Sequence, residues 1–296
     1  MFIFHYLFVV IAWLIALLPF WLLYLKSDFL SFILYYVVKY RKKVVFENLH
    51  NAFPEKTEQE IIQIARKYYC NLGDIIIEVI KLRLLSKEQL MKRVKVINSA
   101  LLDELYNKQN SALLIMGHCG NWEWASPAVS FNTKHRCYGM AKPLSDPFFE
   151  KYLMRLRTKF NPDSIIHFKR FFRMMVENRK NVSAYLMAGD QTPTKGEINY
   201  WTTFLNQETA VFLGAEKIAI ALDMPIIYMD IQRTGRMRYE VTLSLITDKP
   251  KETAEFEITE KHVRLLENAI HLHPENWLWS HRRWKHKRAD IDSITN

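Results

Sequence analysis

The sequence has no CxxC pair and no HExxH motif. Its three cysteines, Cys70, Cys119 and Cys137, are odd in number and widely spaced. That usage fits a reducing compartment and argues against a disulfide framework and against zinc. No linker rich in glycine, proline or serine interrupts the chain, and there is no internal repeat or low-complexity tract, so an array of repeats or loosely tethered modules is excluded. Acidic residues are in deficit, 31 against 41 Lys and Arg, and the net charge of +10 favours an anionic partner: nucleic acid, phospholipid head groups or an acidic carrier protein. No nucleic-acid-binding motif accompanies that charge. Hydrophobic residues make up 49% of the 296, ample for a buried core, so disorder is not the default.

Charge is also missing between Tyr6 and Leu25. Twenty residues of helix at about 1.5 Å each cover roughly 30 Å, the thickness of a hydrocarbon core. No basic residue precedes this run and no small-x-small site follows it, which favours a retained membrane helix over a cleaved signal. Trp13, Trp21 and Tyr24 sit near its ends. A second apolar patch, Phe29 to Val38, is too short to span and is expected at the interface; Lys39, Arg41, Lys42 and Lys43 after it predict a cytoplasmic C-terminal side. Residues 1–43 therefore read as a membrane anchor with an interfacial helix, and residues 44–296 as one catalytic domain.

Thr57-x-x-Glu60 and Ser86-x-x-Gln89 are capping boxes ahead of helical spacing. Beyond them, short apolar or β-branched runs recur at 94–97, 112–116, 137–141, 164–167, 182–187, 225–232 and 238–245. Helical stretches separate most of these, at 101–107, 121–130, 147–158, 170–178 and 210–222. The alternation predicts an α/β fold, a mostly parallel central sheet flanked by helices, with its site where strands deliver their C-terminal ends.

The run 112–116 ends in Gly117-His118-Cys119-Gly120-Asn121-Trp122-Glu123. A histidine at a strand end between two glycines can meet a substrate closely, and Asn121 is placed to cap the next helix. With His118 in the turn and Glu123 in the first helical turn, the carboxylate can fold back onto the imidazole, fix its tautomer and raise the basicity of the other nitrogen. A structural or surface pair is the competing reading of the same residues. Cys119 offers a nucleophile, but no partner constellation supports it.

That block resembles the HxxxxE/D motif of the bacterial lipid A late acyltransferases, within the glycerolipid acyltransferase superfamily. Gly189-Asp190-Gln191-Thr192-Pro193 resembles the family's central DQ-type block, continued by Phe204-Leu205, Thr209 and Gly214-Ala215. Pro274-Glu275-Asn276-Trp277-Leu278-Trp279-Ser280-His281-Arg282-Arg283-Trp284-Lys285 is similar to its C-terminal PEQWLWxHRRW signature. The order and spacing agree over almost the whole chain.

The resemblance implies an O-acyltransferase without cofactor or metal. It would move a fatty acyl chain from acyl-carrier protein, or acyl-CoA, to a hydroxyl of a membrane glycolipid at the cytoplasmic face of an inner membrane. By analogy His118 is the general base and Glu123 its orienter, with no covalent intermediate. Gly120 and Asn121 N–H groups at the helix start are expected to hold the oxyanion. Lys142, where relatives carry arginine, and Arg157 are expected on phosphate of the acceptor or carrier, and Asp190 and Gln191 on the acceptor sugar. The basic cluster Arg282, Arg283, Lys285, Lys287 and Arg288, interleaved with Trp277, Trp279 and Trp284, is expected at a lipid interface or a carrier-docking patch. Alternatives sharing these motifs are a lysophospholipid or aminolipid acceptor, a thioesterase or lipid hydrolase that activates water, and a non-catalytic lipid-binding protein.

Overall fold

A computed structural model describes residues 2–289. Helices α1 (Phe2–Leu17), α2 (Phe20–Phe32), α3 (Lys42–Ala52), α4 (Glu58–Lys81) and α5 (Lys87–Met91) precede β1 (Val94–Ile97), α6 (Ala100–Asn107), β2 (Ala112–Met116), α7 (Trp122–Phe131), β3 (Arg136–Ala141), α8 (Pro147–Arg157), β4 (Ile165–His167), α9 (Phe168–Glu177) and β5 (Ser183–Ala188). A hairpin of β6 (Trp201–Phe204) and β7 (Gln207–Ala210) follows, then α10 (Gly214–Leu222), β8 (Ile226–Gly235), β9 (Arg238–Thr247) and α11 (Glu257–Leu272).

The central sheet has seven strands in the order β1-β9-β8-β2-β5-β3-β4. Only β8 and β9 pair antiparallel within it, so the expected mostly parallel α/β sheet is present. Every residue of β2 is buried, as a strand covered on both faces requires. Alternation along β5 sends Tyr185 and Met187 to one core and Ala184 and Leu186 to the other. The first core includes side chains from α9, α10 and α11, and the second includes side chains from α7 and α8. Both predicted capping boxes form, at Thr57 with Glu60 and at Ser86 with Gln89.

The apolar N-terminus departs from one straight span over residues 6–25. Helix α1 stops at Leu17 and α2 starts after Pro19, whose missing N–H cannot continue the ladder. Residues 20–37, comprising α2 and a π-helical turn Ile33–Val37, form the one stretch among the described residues long and apolar enough to cross a membrane by length and composition. The patch expected at the interface is thus the continuation of α2.

Both helices are fastened to the domain along one side. Lys81 Nζ donates to the carbonyls of Ala16 and Leu18 at 2.8 and 2.9 Å, satisfying acceptors left open at the end of α1. Phe8 packs edge-on against Phe148, Phe149 and Tyr152 of α8. Helix α2 approaches α4 so closely that a Cβ at Gly73 would lie 2.2 Å from Ser31 Oγ. Ser27 donates to Asp74, and Arg236 bridges Asp28 and Asp74. The opposite faces expose Tyr6, Leu7, Ile11, Leu14, Trp21, Leu25 and Phe29.

Candidate active site

Strands β2 and β5 are parallel neighbours with Met116 opposite Ala188, and Gly189 N–H donates to the Met116 carbonyl at 2.9 Å. Each strand continues through a glycine into a polar residue, so the register sets His118 facing Asp190 at the C-terminal edge of the sheet. His118 N–H donates to Asp190 Oδ2 at 2.8 Å, and Nδ1 lies 2.6 Å from Oδ1. An ionised carboxylate only accepts, so Nδ1 carries the proton and Nε2 presents a lone pair. Trp277 Nε1 donates to Oδ2 at 2.8 Å, so both oxygens of Asp190, which is 5% exposed, are engaged.

Burial pushes the Asp190 carboxyl up, but the charge and hydrogen bonds of His118, with the Trp277 N–H, outweigh it and hold the group well below the usual carboxylate range. Burial alone would depress His118; the Asp190 charge and hydrogen bond reverse that, with a smaller contribution from Glu123, and its pKa is raised. The imidazole is 16% exposed, edge-on to Trp122 at 4.9 Å between ring centroids. Its Nε2 lies 3.3 Å from the exposed Gln191 amide and borders a narrow crevice lined by Leu72, Ile75, Trp122 and Leu278.

Glu123 is not the residue bonded to that ring. It sits in the first turn of α7 and receives a two-pronged contact from Arg157, from Nε at 2.9 and 3.1 Å and Nη2 at 2.5 Å. Trp122 Nε1 donates to it as well. The carboxylate hydrogen-bonded to His118 is therefore Asp190 and not the expected Glu123, because the turn through Gly120 carries the helix start sideways from the imidazole. Gly120 has φ +54°, a left-handed conformation that disfavours a side chain, and its N–H donates to the Asn276 carbonyl at 3.0 Å. That N–H is thus engaged rather than presented to an oxyanion.

Asn121 does cap α7, accepting from Trp124 N–H at 3.0 Å, but its fully buried side chain donates to Glu78 and faces the core, not the site. Glu78 in turn accepts from Tyr239, and burial pushes its pKa up to about 7. Lys142 is exposed beside Phe168 and does not line the cavities at His118 or Glu123. Cys119 is buried, which pushes its thiol far up and removes the thiolate a nucleophile needs.

The C-terminal signature is a frame for Asp190 and its surroundings. Trp277 and Trp279 are 1% and 0% exposed, and Arg283 is 3% exposed, so these three belong to the core, whereas Arg282, Lys285, Lys287 and Arg288 of the expected surface patch are exposed. Asn48 Nδ2 holds the carbonyls of Trp279 and His281, and Cys119 forms an isolated bridge with Trp277. Burial pulls Arg283 down to about 10, opposed by the charge of Asp190. The repeated pattern of a buried strand ending in glycine and then a titratable residue, at 116–118 and 188–190, was the signal available for the His118–Asp190 pair.

Glu123 and Arg157 also line a cavity of about 810 Å³ that runs along β3 beneath α7 and α8. Met116, Trp122, Phe131, Cys137, Met140 and Phe160 make much of its wall apolar, while Lys134, Arg136 and Lys180 stand at the end remote from Glu123. Among the described residues no group of three or more His, Cys, Asp or Glu side chains is arranged to hold a metal ion.

The family model described as bacterial lipid A biosynthesis acyltransferase matches residues 1–286. No curated protein matches the chain significantly.

Proposed function

The chain belongs to the bacterial lipid A biosynthesis acyltransferase family and is an O-acyltransferase; from that premise we propose that His118 is its general base, oriented by Asp190, in transfer of a fatty acyl chain from acyl-carrier protein to a hydroxyl of a lipid A precursor. The observation that carries the proposal is the bond from Nδ1 to Asp190, which leaves Nε2 as the basic nitrogen, facing Gln191 at the narrow crevice.

Nε2 takes the proton of the acceptor hydroxyl as its oxygen attacks the thioester carbonyl. The tetrahedral oxyanion then collapses and breaks the carbon–sulfur bond, and the imidazolium returns the proton to the departing thiolate. Such base catalysis contributes about 10²–10⁴-fold. Arg157 is the cation assigned to the oxyanion. Glu123 occupies its Nε and Nη2 and leaves Nη1 free of any hydrogen bond among the described residues. The cavity along β3 accepts the acyl chain; at about 810 Å³ it lies within the roughly 300–1,000 Å³ of small-molecule sites. The exposed faces of α1 and α2 lie in the inner membrane, with the catalytic domain on the cytoplasmic side and Lys39, Arg41, Lys42 and Lys43 at the interface.

The test is mass spectrometry of lipids after incubating the pure protein with acyl-carrier-protein thioester and an underacylated lipid A. A new ester is expected, with H118A lowering the rate at least 10²-fold while lipid binding persists. Free fatty acid released without an acceptor would point to a hydrolase instead, and an active H118A would remove the histidine from the mechanism.

A further inference from the structure

We propose that the cleft between α4 and the tip of the β8–β9 hairpin is a phosphate site that seats the anionic headgroup of the acceptor lipid. This rests on the acyl-transfer function proposed above. The cleft measures about 430 Å³ and is walled by Arg66 and Lys67, by Arg233 and Arg236, and by Asn71 and Asn276, with Glu275 its one lining carboxylate.

The four cations have different duties. Arg236 is fully engaged: it bonds Asp74, Asp28 and the Tyr24 carbonyl. Arg233 bonds Asp74 and donates to Asn71 Oδ1 at 2.6 Å. These contacts fix the hairpin tip against α4 and neutralise the two aspartates. Arg66 and Lys67 are exposed and enter no ion pair among the described residues. With Asp28, Asp74 and Glu275 set against four cations, the cleft carries a net positive charge, concentrated on the two uncommitted side chains of α4.

Two connections specify the ligand further. Asn71, Glu275 and Asn276 line both this cleft and the crevice at His118, so the two recesses adjoin across these residues and a headgroup seated here lies next to the base. Arg236 also ties the cleft to α2, whose exposed Trp21, Leu25 and Phe29 form the apolar face proposed to meet lipid. A group lying between an apolar surface and a catalytic base, among cations, is the headgroup of an amphiphile. Phosphate supplies the charge and the acceptor oxygens that Arg and Lys require, whereas an uncharged sugar does not. A helix of an acidic carrier, about 10–12 Å across, overfills a cleft of this size.

The full chain in detergent is titrated calorimetrically with glucosamine 1-phosphate, glucosamine and inorganic phosphate, and its kinetics are compared on phosphorylated and dephosphorylated acceptors. Glucosamine 1-phosphate is expected to bind more tightly than either control, with R66A/K67A weakening it at least tenfold and R66K/K67R restoring most of it. The double alanine variant is expected to lower the kcat/KM ratio of phosphorylated to dephosphorylated acceptor at least tenfold, through KM. Equal binding by wild type and variant, or an unchanged ratio, overturns the site. Inorganic phosphate binding as tightly as the sugar phosphate overturns the headgroup assignment. A defect seen only with carrier-protein thioester and not with acyl-CoA gives the cleft to the donor. If the wild type acylates neither acceptor, the proposed reaction fails while the titration still decides the cleft.

Discussion

Asp190 and Glu123 are both buried carboxylates near one histidine, and they are held in opposite ways. Asp190 takes three donors, two of them from His118 and one from a tryptophan ring in the core, with both oxygens engaged. Glu123 takes its main contact from a cation, at the wall of a large cavity. One carboxylate sets the basicity of a ring; the other sets the direction of a guanidinium. The residue nearest in sequence serves the more distant partner, because neighbouring parallel strands bring 118 and 190 into register while a left-handed turn at Gly120 leads 123 away.

The largest break in this comparison comes from D190N. It removes the negative charge behind the imidazole and can leave the wrong tautomer, so kcat is expected to fall about 10²–10⁴-fold. As the proposed base, His118 must be neutral, and its native pKa is raised, so wild-type activity is expected to rise as pH climbs through a value above that of a free histidine. In D190N the raising influence is gone and burial dominates, so the acid limb of the residual rate moves to lower pH. E123Q removes a smaller raising contribution and moves that limb less. A pH–rate profile showing the larger movement in E123Q would reverse the assignment of the two carboxylates.

A double-mutant cycle sharpens the other half. Breaking a buried ion pair by removing one partner costs about 3–5 kcal/mol, so E123Q and R157M each destabilise, and the pair together costs much less than the sum. The cycle between E123Q and H118A is expected to show weaker coupling in thermal unfolding, since they share no hydrogen bond. Comparable coupling energies would mean Glu123 acts on the histidine directly.

W277F is the mildest change. It removes the N–H on Asp190 Oδ2 and, because phenyl is smaller than the buried indole, also leaves a small cavity; a hydrogen bond to a charged group is worth about 1.5–3 kcal/mol. A drop of several degrees in Tm is expected, with the His118 acid limb displaced far less than in D190N. An unchanged Tm would show that neither the indole N–H nor its extra volume contributes to stability.

Much of the sheet was legible because its strands are short apolar runs between helical stretches, and β1 and β2 coincide with the runs at 94–97 and 112–116. The hairpin of β6 and β7 was not, since Thr202, Thr203 and Glu208 give no apolar alternation. His118 stood out through its flanking glycines. Its pairing with Asp190 did not, because β3 and β4 intervene in sequence between β2 and β5, and strand order leaves no periodic mark on the chain. Trp277, Trp279 and Arg283 looked like surface for a related reason: only the packed structure shows them buried, with Trp277 turned inward onto Asp190. In the N-terminus, Pro19 was visible, yet hydropathy summed over residues 6–25 passes over a break that backbone chemistry makes unavoidable.

The ammonium of Lys81 seated on the carbonyls of Ala16 and Leu18 ties the end of α1 to α4, the longest helix among the described residues. With α2 clamped beside it, the apolar rods and the reactive imidazole form one stiff body. On the membrane placement proposed above, the altitude of His118 over the lipid is then constant, and it is the acceptor that must rise out of its leaflet to be acylated.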